Sequence, residues 1–200
     1  MLNDINLNVF HLITSIPIIS GTALKFTFFL AYQLIFIFFF IVILYWFFYL
    51  KKNIIIRIIF VYKTFVAVII SLLISWIIGK FFYQERPFVM ITCKHFFIHK
   101  ETPSFPSNHG IVTFTISFSF LFWFKKYWIG LLLFIKSFII AIARIFFCIH
   151  WPLDMLGSFI LSLIACWISQ LLYKVSRDKI SSYLIKFYQF FINLIFFKSY

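Results

Sequence analysis

The chain has 200 residues, of which 64% are hydrophobic and 24% aromatic, with a mean hydropathy of +1.06. That much apolar side chain cannot be kept from water at this length, so the composition excludes a soluble globule and implies a polytopic membrane protein. The net charge of +13 raises nucleic acid as a partner, but the basic residues fall in short groups such as Lys51-Lys52 and Lys125-Lys126 between apolar runs, as membrane-flanking anchors do.

Taken in chain order, residues 1–22 mix Asn, Asp, Ser and Pro with apolar residues, and 5–13 read as a short interfacial helix. The first residues carry no basic n-region, so the first spanning helix is expected to serve as targeting signal. Long apolar runs follow at about 24–50 and 54–79; the second carries Arg57 and Lys63, which can snorkel or face protein, and ends at Lys80. Residues 80–109 hold most of the polar chemistry and read as a loop outside the hydrocarbon. A third apolar run, 110–124, spans only about 22 Å if helical. A fourth covers 128–148 with Lys136 and Arg144 inside it, and a fifth covers 155–173. Residues 183–197 are too short for a full span and read as an interfacial helix, with a sixth short span as the alternative.

The fold expected is therefore all-α: one membrane helix bundle over residues 1–200 with five, or with 183–197 six, transmembrane helices. Five spans put 51–53, 125–126 and 174–179 on one side, and 80–109 with 149–154 on the other. The first set is short and basic, so positive-inside places it in the cytoplasm and the second set on the extracytoplasmic face.

Two residue classes read as inert. A bilayer requires no particular apolar residue, so the phenylalanines are taken as lipid-facing filler. Cys93, Cys148 and Cys166 are odd in number and widely spaced, and indicate neither a zinc site nor a disulfide framework.

The chemistry lies on the loop-rich face. An Arg near the end of a membrane helix is a functional candidate by default, which singles out Arg144. Pro152 suits a first helical turn, so a helix starting near Trp151 would carry Asp154 in that turn and put His150 just before it. A carboxylate beside an imidazole fixes its tautomer and leaves the other nitrogen as a nucleophile; the plainer alternative is an Arg–Asp pair with a buried histidine bracing the turn. Ser107 or Asn108 can cap the helix that follows, whose free N–H groups form an anion site near His109 and Gly110. Lys80 and Arg86 could merely snorkel. Two arginines, a lysine, a serine, two histidines and one carboxylate on one face nevertheless supply the positioning and charge stabilisation that phosphoryl transfer needs.

At these residues the chain resembles the type 2 phosphatidic acid phosphatase superfamily. Its motifs read here as Lys80 followed by Arg86-Pro87, then Pro106-Ser107-Asn108-His109, then Arg144, His150 and Asp154 in an Arg-x5-His-x3-Asp array. The resemblance covers residues 80–154. It implies that His150 attacks phosphorus, Asp154 orients it and His109 protonates the leaving oxygen, while Lys80, Arg86, Ser107, Arg144 and the Gly110 amide hold the phosphoryl oxygens. It implies no cofactor and no metal. Three positions depart from the family pattern: five residues instead of six separate Lys80 from Arg86, which on a helix sets them about 120° apart; Asn108 stands where Gly is common; and Ala143 where Ser is usual.

Within the superfamily the chain is similar to bacterial undecaprenyl-diphosphatases linked to bacitracin resistance, which implies a polyprenyl diphosphate as substrate. Phosphatidylglycerophosphate or phosphatidate is the alternative substrate. A non-catalytic lipid-phosphate binding or transport protein is the alternative of another class, and it does not need a nucleophile–acid pair. The soluble haloperoxidases that share the motifs are excluded by the spanning segments.

Overall fold

The computed structural model describes residues 4–17, 21–32, 54–93, 102–123 and 127–196, with residues 36, 40 and 43 between them. All regular structure among these is helical: α1 (Asp4–Thr14), α2 (Gly21–Tyr32), α3 (Ile54–Phe81), a single turn α4 (Pro87–Met90), α5 (Asn108–Phe122), α6 (Tyr127–Phe146) and α7 (Pro152–Phe196). The rest of the first apolar run, the basic pairs at 51–52 and 125–126, and Lys94, His95, His99 and Lys100 lie outside the described residues.

Among the described residues, three helices are long and apolar enough to cross a bilayer, at 58–81, 127–146 and 152–177. Only 28% of the first window is buried, and Phe65, Ile69, Leu73, Trp76 and Ile77 lie along its exposed faces, as a lipid-facing surface requires. The chain is a multi-pass membrane protein. Helix α5 differs: it is short, yet nearly every residue from Gly110 to Phe120 is buried, because α3, α6 and α7 pack around it. A helix enclosed by protein can be shorter than the hydrocarbon is thick.

Small residues bring these helices together. Ser158, Ser162, Ala165, Cys166 and Ser169 form one buried stripe on α7, spaced as one helix face. Ser162 Oγ donates to Ile111 O across to α5 (3.0 Å), and Ser169 Oγ to Lys63 O on α3 (2.8 Å). Without water to drive association, close packing and such bonds hold membrane helices together. On the α5–α6 side, a Cβ on Gly130 would come within 2.7 Å of Leu121 Cδ2, so only glycine permits that approach.

Several sequence expectations are corrected. The phenylalanines are not only filler: Phe114 and Phe118 are buried in the core, Phe134 and Phe159 pack against them, and exposed Phe138 edges the cluster, with the ring pairs of Phe114 with Phe138 and of Phe118 with Phe159 both at 5.3 Å. Residues 183–196 are not a separate helix but continue α7, a helix of 45 residues; no Gly or Pro follows Gly157 to break it. The 80–109 segment is not all loop, since Lys80 lies in the last turn of α3 and Pro87 starts α4. Of the two readings open for Lys63, facing protein is the one found, its Nζ over the rings of Trp123 (4.3 Å) and Tyr173 (5.5 Å). Finally, Cys93 and Cys148 form a disulfide. Their 55-residue separation hid a contact that only the packing of α4 against the end of α6 creates.

Candidate active site

At one end of the bundle a cleft of about 550 Å³ is lined by Lys80, Arg86, His109, Arg144 and His150, with Leu72, Ser75 and Trp76 of α3 as one wall. Ser107, Gly110 and Asp154 lie behind that lining, in buried positions.

The nucleophile candidate is fixed by the start of α7. Pro152 occupies the first helical position and Asp154 the third, from which its Oδ2 reaches back to accept the Trp151 amide (2.7 Å), the backward half of a capping box. The same oxygen accepts the Ser104 hydroxyl and lies 3.3 Å from His150 Nδ1. The Ser104 carbonyl is nearer still, 2.9 Å from Nδ1. Both neighbours are acceptors, so Nδ1 carries the proton and the lone pair belongs to Nε2. Nε2 sits 3.5 Å from Arg86 Nη1.

Ser104 was not found from sequence. Its amide donates to Gln84 O (2.8 Å), its hydroxyl holds the carboxylate and its carbonyl holds the imidazole, so one residue ties the central loop to His150. The signal was a second serine in the same proline-rich loop, Pro103-Ser104-Phe105-Pro106-Ser107.

Arg86 does structural work here. Nε donates to Thr102 O (2.9 Å), Nη1 to Ile149 O (3.0 Å), and Nη2 to Thr102 Oγ (2.9 Å) and Pro103 O (3.4 Å). Burial pulls its pKa down, while the charges of Asp154, Tyr32 and Tyr83 pull it back up. Arg144 makes no pair with Asp154, which corrects the Arg–Asp alternative. Its Nη1 donates to Ala31 O (3.2 Å) and its guanidinium lies over the Tyr32 ring (5.6 Å). Arg144 Nε has no partner among the described residues. Lys80 is exposed, its Nζ 4.0 Å from the Trp76 ring centroid.

Ser107 caps α5, its Oγ accepting the Gly110 amide (3.3 Å). Its own amide donates to Ser158 Oγ (2.9 Å) on α7. A Cβ on Gly110 would stand 3.0 Å from Ser158 Cβ, so the glycine sets how closely the α5 start meets α7. Asn108 accepts from Ser75 Oγ (2.7 Å), tying the loop to α3. The first helix is more than interfacial: buried Asn6 accepts the Leu153 amide (3.0 Å), and Phe10 packs on buried Trp151 at 4.9 Å. Trp151 Nε1 donates to Glu85 O (2.9 Å). Neither α1 contact had a sequence signal.

A membrane helix bundle with two histidines, two arginines and a lysine around one cleft defines an integral-membrane phosphatase. The chain belongs to the PAP2 superfamily, whose model matches residues 60–178, and is a lipid phosphatase of that type. It is 32% identical over 189 residues to the putative undecaprenyl-diphosphatase YbjG of Escherichia coli (strain K12), covering 94% of this chain and 93% of that protein. Over 96 residues it is 34% identical to undecaprenyl-diphosphatase BcrC of Bacillus subtilis (strain 168), covering 48% of this chain and 49% of that protein. The crystal structure of Aquifex aeolicus LpxE superposes with a TM-score of 0.68 at 25% identity, covering 84% of this chain and 96% of that one.

Proposed function

We propose that the protein hydrolyses undecaprenyl diphosphate to undecaprenyl phosphate and inorganic phosphate, through a phosphohistidine at His150, on the extracytoplasmic face of the bacterial cytoplasmic membrane. The observation that carries the mechanism is the double hold on His150 Nδ1 by Ser104 O and Asp154, which gives Nε2 the lone pair beside Arg86. The substrate is supported by similarity to YbjG along nearly the whole chain, and the face by the short basic connections that the five-span reading of the sequence puts opposite the site.

In this reading Nε2 attacks the terminal phosphorus and the bond to the bridging oxygen breaks. Protonated His109 gives that oxygen its proton. Neutral His109 then takes a proton from water, whose oxygen attacks the phosphohistidine, and phosphate leaves with His150 restored. Arg86, Arg144, Lys80 and the α5 start, capped by Ser107 and kept close to α7 by Gly110, stabilise the phosphoryl charge, Arg86 through its charge and the one N–H that its loop bonds leave, Arg144 with a fork suited to two oxygens. Asp154 stabilises the imidazolium character that develops. No metal takes part.

The test is phosphate release by the purified protein in detergent with EDTA, comparing undecaprenyl diphosphate, phosphatidylglycerophosphate and phosphatidate, alongside His150→Ala. Faster release from the diphosphate, lost in the variant, is expected. Preference for a glycerophospholipid would overturn the substrate, dependence on added metal would overturn the metal-free chemistry, and no His150-dependent release would leave a binding or transport role.

A further inference from the structure

Helix α6 ends in a left-handed turn at Cys148, whose φ is 57°. The Cys148 amide donates to Ile145 O (2.9 Å) and the Ile149 amide reaches back to Arg144 O (3.0 Å). These are the paired bonds of a Schellman stop, where glycine is the usual left-handed residue because a Cβ is disfavoured there. This chain puts a cysteine in that place, bonded to Cys93.

The turn is already stitched to the 85–93 segment. Trp151 Nε1 donates to Glu85 O (2.9 Å), Arg86 Nη1 to Ile149 O (3.0 Å) and the Phe88 amide to Cys148 O (3.1 Å). The disulfide closes the end of this seam, two residues before His150. A second cleft of about 250 Å³, between α1 and this turn, is lined by both cysteines; Cys148 is buried and Cys93 half-buried, so Cys93 is the more accessible partner.

We propose that the Cys93–Cys148 disulfide is a positioning element of the active site, holding the left-handed turn that sets His150 against Ser104 and Arg86, and that full activity therefore requires an oxidising face of the membrane. This rests on the reading of His150 as nucleophile. Forming the bond takes two electrons and two protons from the thiols, passed to a disulfide donor by exchange. A dithiol reverses it: its thiolate attacks Cys93 Sγ, Cys148 leaves as thiolate, and the second thiol closes the reagent's own disulfide.

The test measures kcat and KM on undecaprenyl diphosphate for purified full-length protein, oxidised and after dithiothreitol, beside Cys148→Gly, Cys93→Ser and His150→Ala, with free thiols counted by maleimide labelling after denaturation. Oxidised protein should label at Cys166 alone. Reduction should free Cys93 and Cys148, lower kcat about tenfold with KM within about twofold, and reverse on reoxidation. Cys148→Gly suits the left-handed turn without the bond, so it should show the same lowered kcat and be indifferent to dithiothreitol. Full kcat in Cys148→Gly, or three free thiols in active protein before reduction, would overturn the proposal. Release that survives His150→Ala overturns the nucleophile reading instead. In spheroplasts a membrane-impermeant phosphine should reduce the bond; protection until permeabilisation would overturn the oxidising face.

Discussion

His150 and His109 line the same cleft but are held in different ways. His150 is buried in a turn tied to three other segments: Ser104 and Asp154 hold its Nδ1, Arg86 holds the preceding carbonyl, and α1 covers the turn through Phe10 and Asn6. His109 sits half-buried in the first turn of α5, where Thr113 Oγ1 donates to its carbonyl (2.9 Å). The difference suits the two tasks proposed for them. An attacking atom needs one tautomer and one direction, whereas a group that gives a proton to one oxygen and takes it from another needs reach.

The largest expected effects separate the two. His150→Ala removes the proposed nucleophile and should lower kcat by ~10⁴-fold or more. His109→Ala should cost ~10²–10⁴-fold and act most on the water step, because a phosphate leaving group needs little help from an acid. With ³²P in the terminal phosphate, His109→Ala should therefore accumulate acid-labile phosphoenzyme and His150→Ala none. Phosphoenzyme in His150→Ala would erase the distinction.

Arg86→Lys comes next. The guanidinium bridges Thr102, Pro103 and Ile149 at once, and one ammonium cannot span them. Burial already lowers the pKa of the arginine, and a lysine, starting lower, would be pushed further toward neutrality. The variant should lose ~10²-fold in kcat with the phosphorylation step slowed more than the water step. Equal slowing of both would mean that Arg86 serves the cleft as a whole and not the His150 side.

The bundle was legible in the sequence because apolar runs and basic ends report spans directly, and the positions of α3, α5 and α6 follow the predicted runs closely. The cleft residues were legible by motif, since order and spacing along one chain survive without coordinates. What stayed hidden is tertiary. Ser104 acts through its carbonyl, a group every residue has. Asn6 meets Leu153 across 147 residues. Cys93 and Cys148 became partners only when α4 docked on the α6 end. Arg86 read as a phosphate ligand because arginine in a motif suggests charge, while its four bonds to loop and turn follow from fork geometry that no spacing encodes.

Asp154→Asn and Ser104→Ala sharpen the comparison within the nucleophile's own support. Asn keeps an acceptor for the Trp151 amide but not the charge that favours a positive imidazole, so kcat should fall ~10–10²-fold. Ser104→Ala removes only the hydroxyl on Asp154 and leaves the carbonyl on Nδ1, so a loss of about threefold is expected, within the worth of one hydrogen bond. If Ser104→Ala matched Asp154→Asn, the carboxylate's placement and not its charge would be the controlling quantity.

The smallest expected effect belongs to Asn6→Ala. Asn6 Oδ1 accepts the Leu153 amide, one of the first-turn N–H groups of α7 that the helix itself cannot satisfy. Asn6 is buried, so water cannot readily replace it, and losing a cap of this kind costs ~1 kcal/mol of stability. The catalytic cost should be smaller, because Asp154 caps the same turn through the Trp151 amide and holds its own place whether or not α1 is tightly docked. A lowered melting temperature with kcat within about twofold is expected. A fall in kcat as large as that of Asp154→Asn, at unchanged melting temperature, would instead make α1 part of what orients His150, and the rigidity of the nucleophile would then be built from the N-terminal helix as much as from the turn.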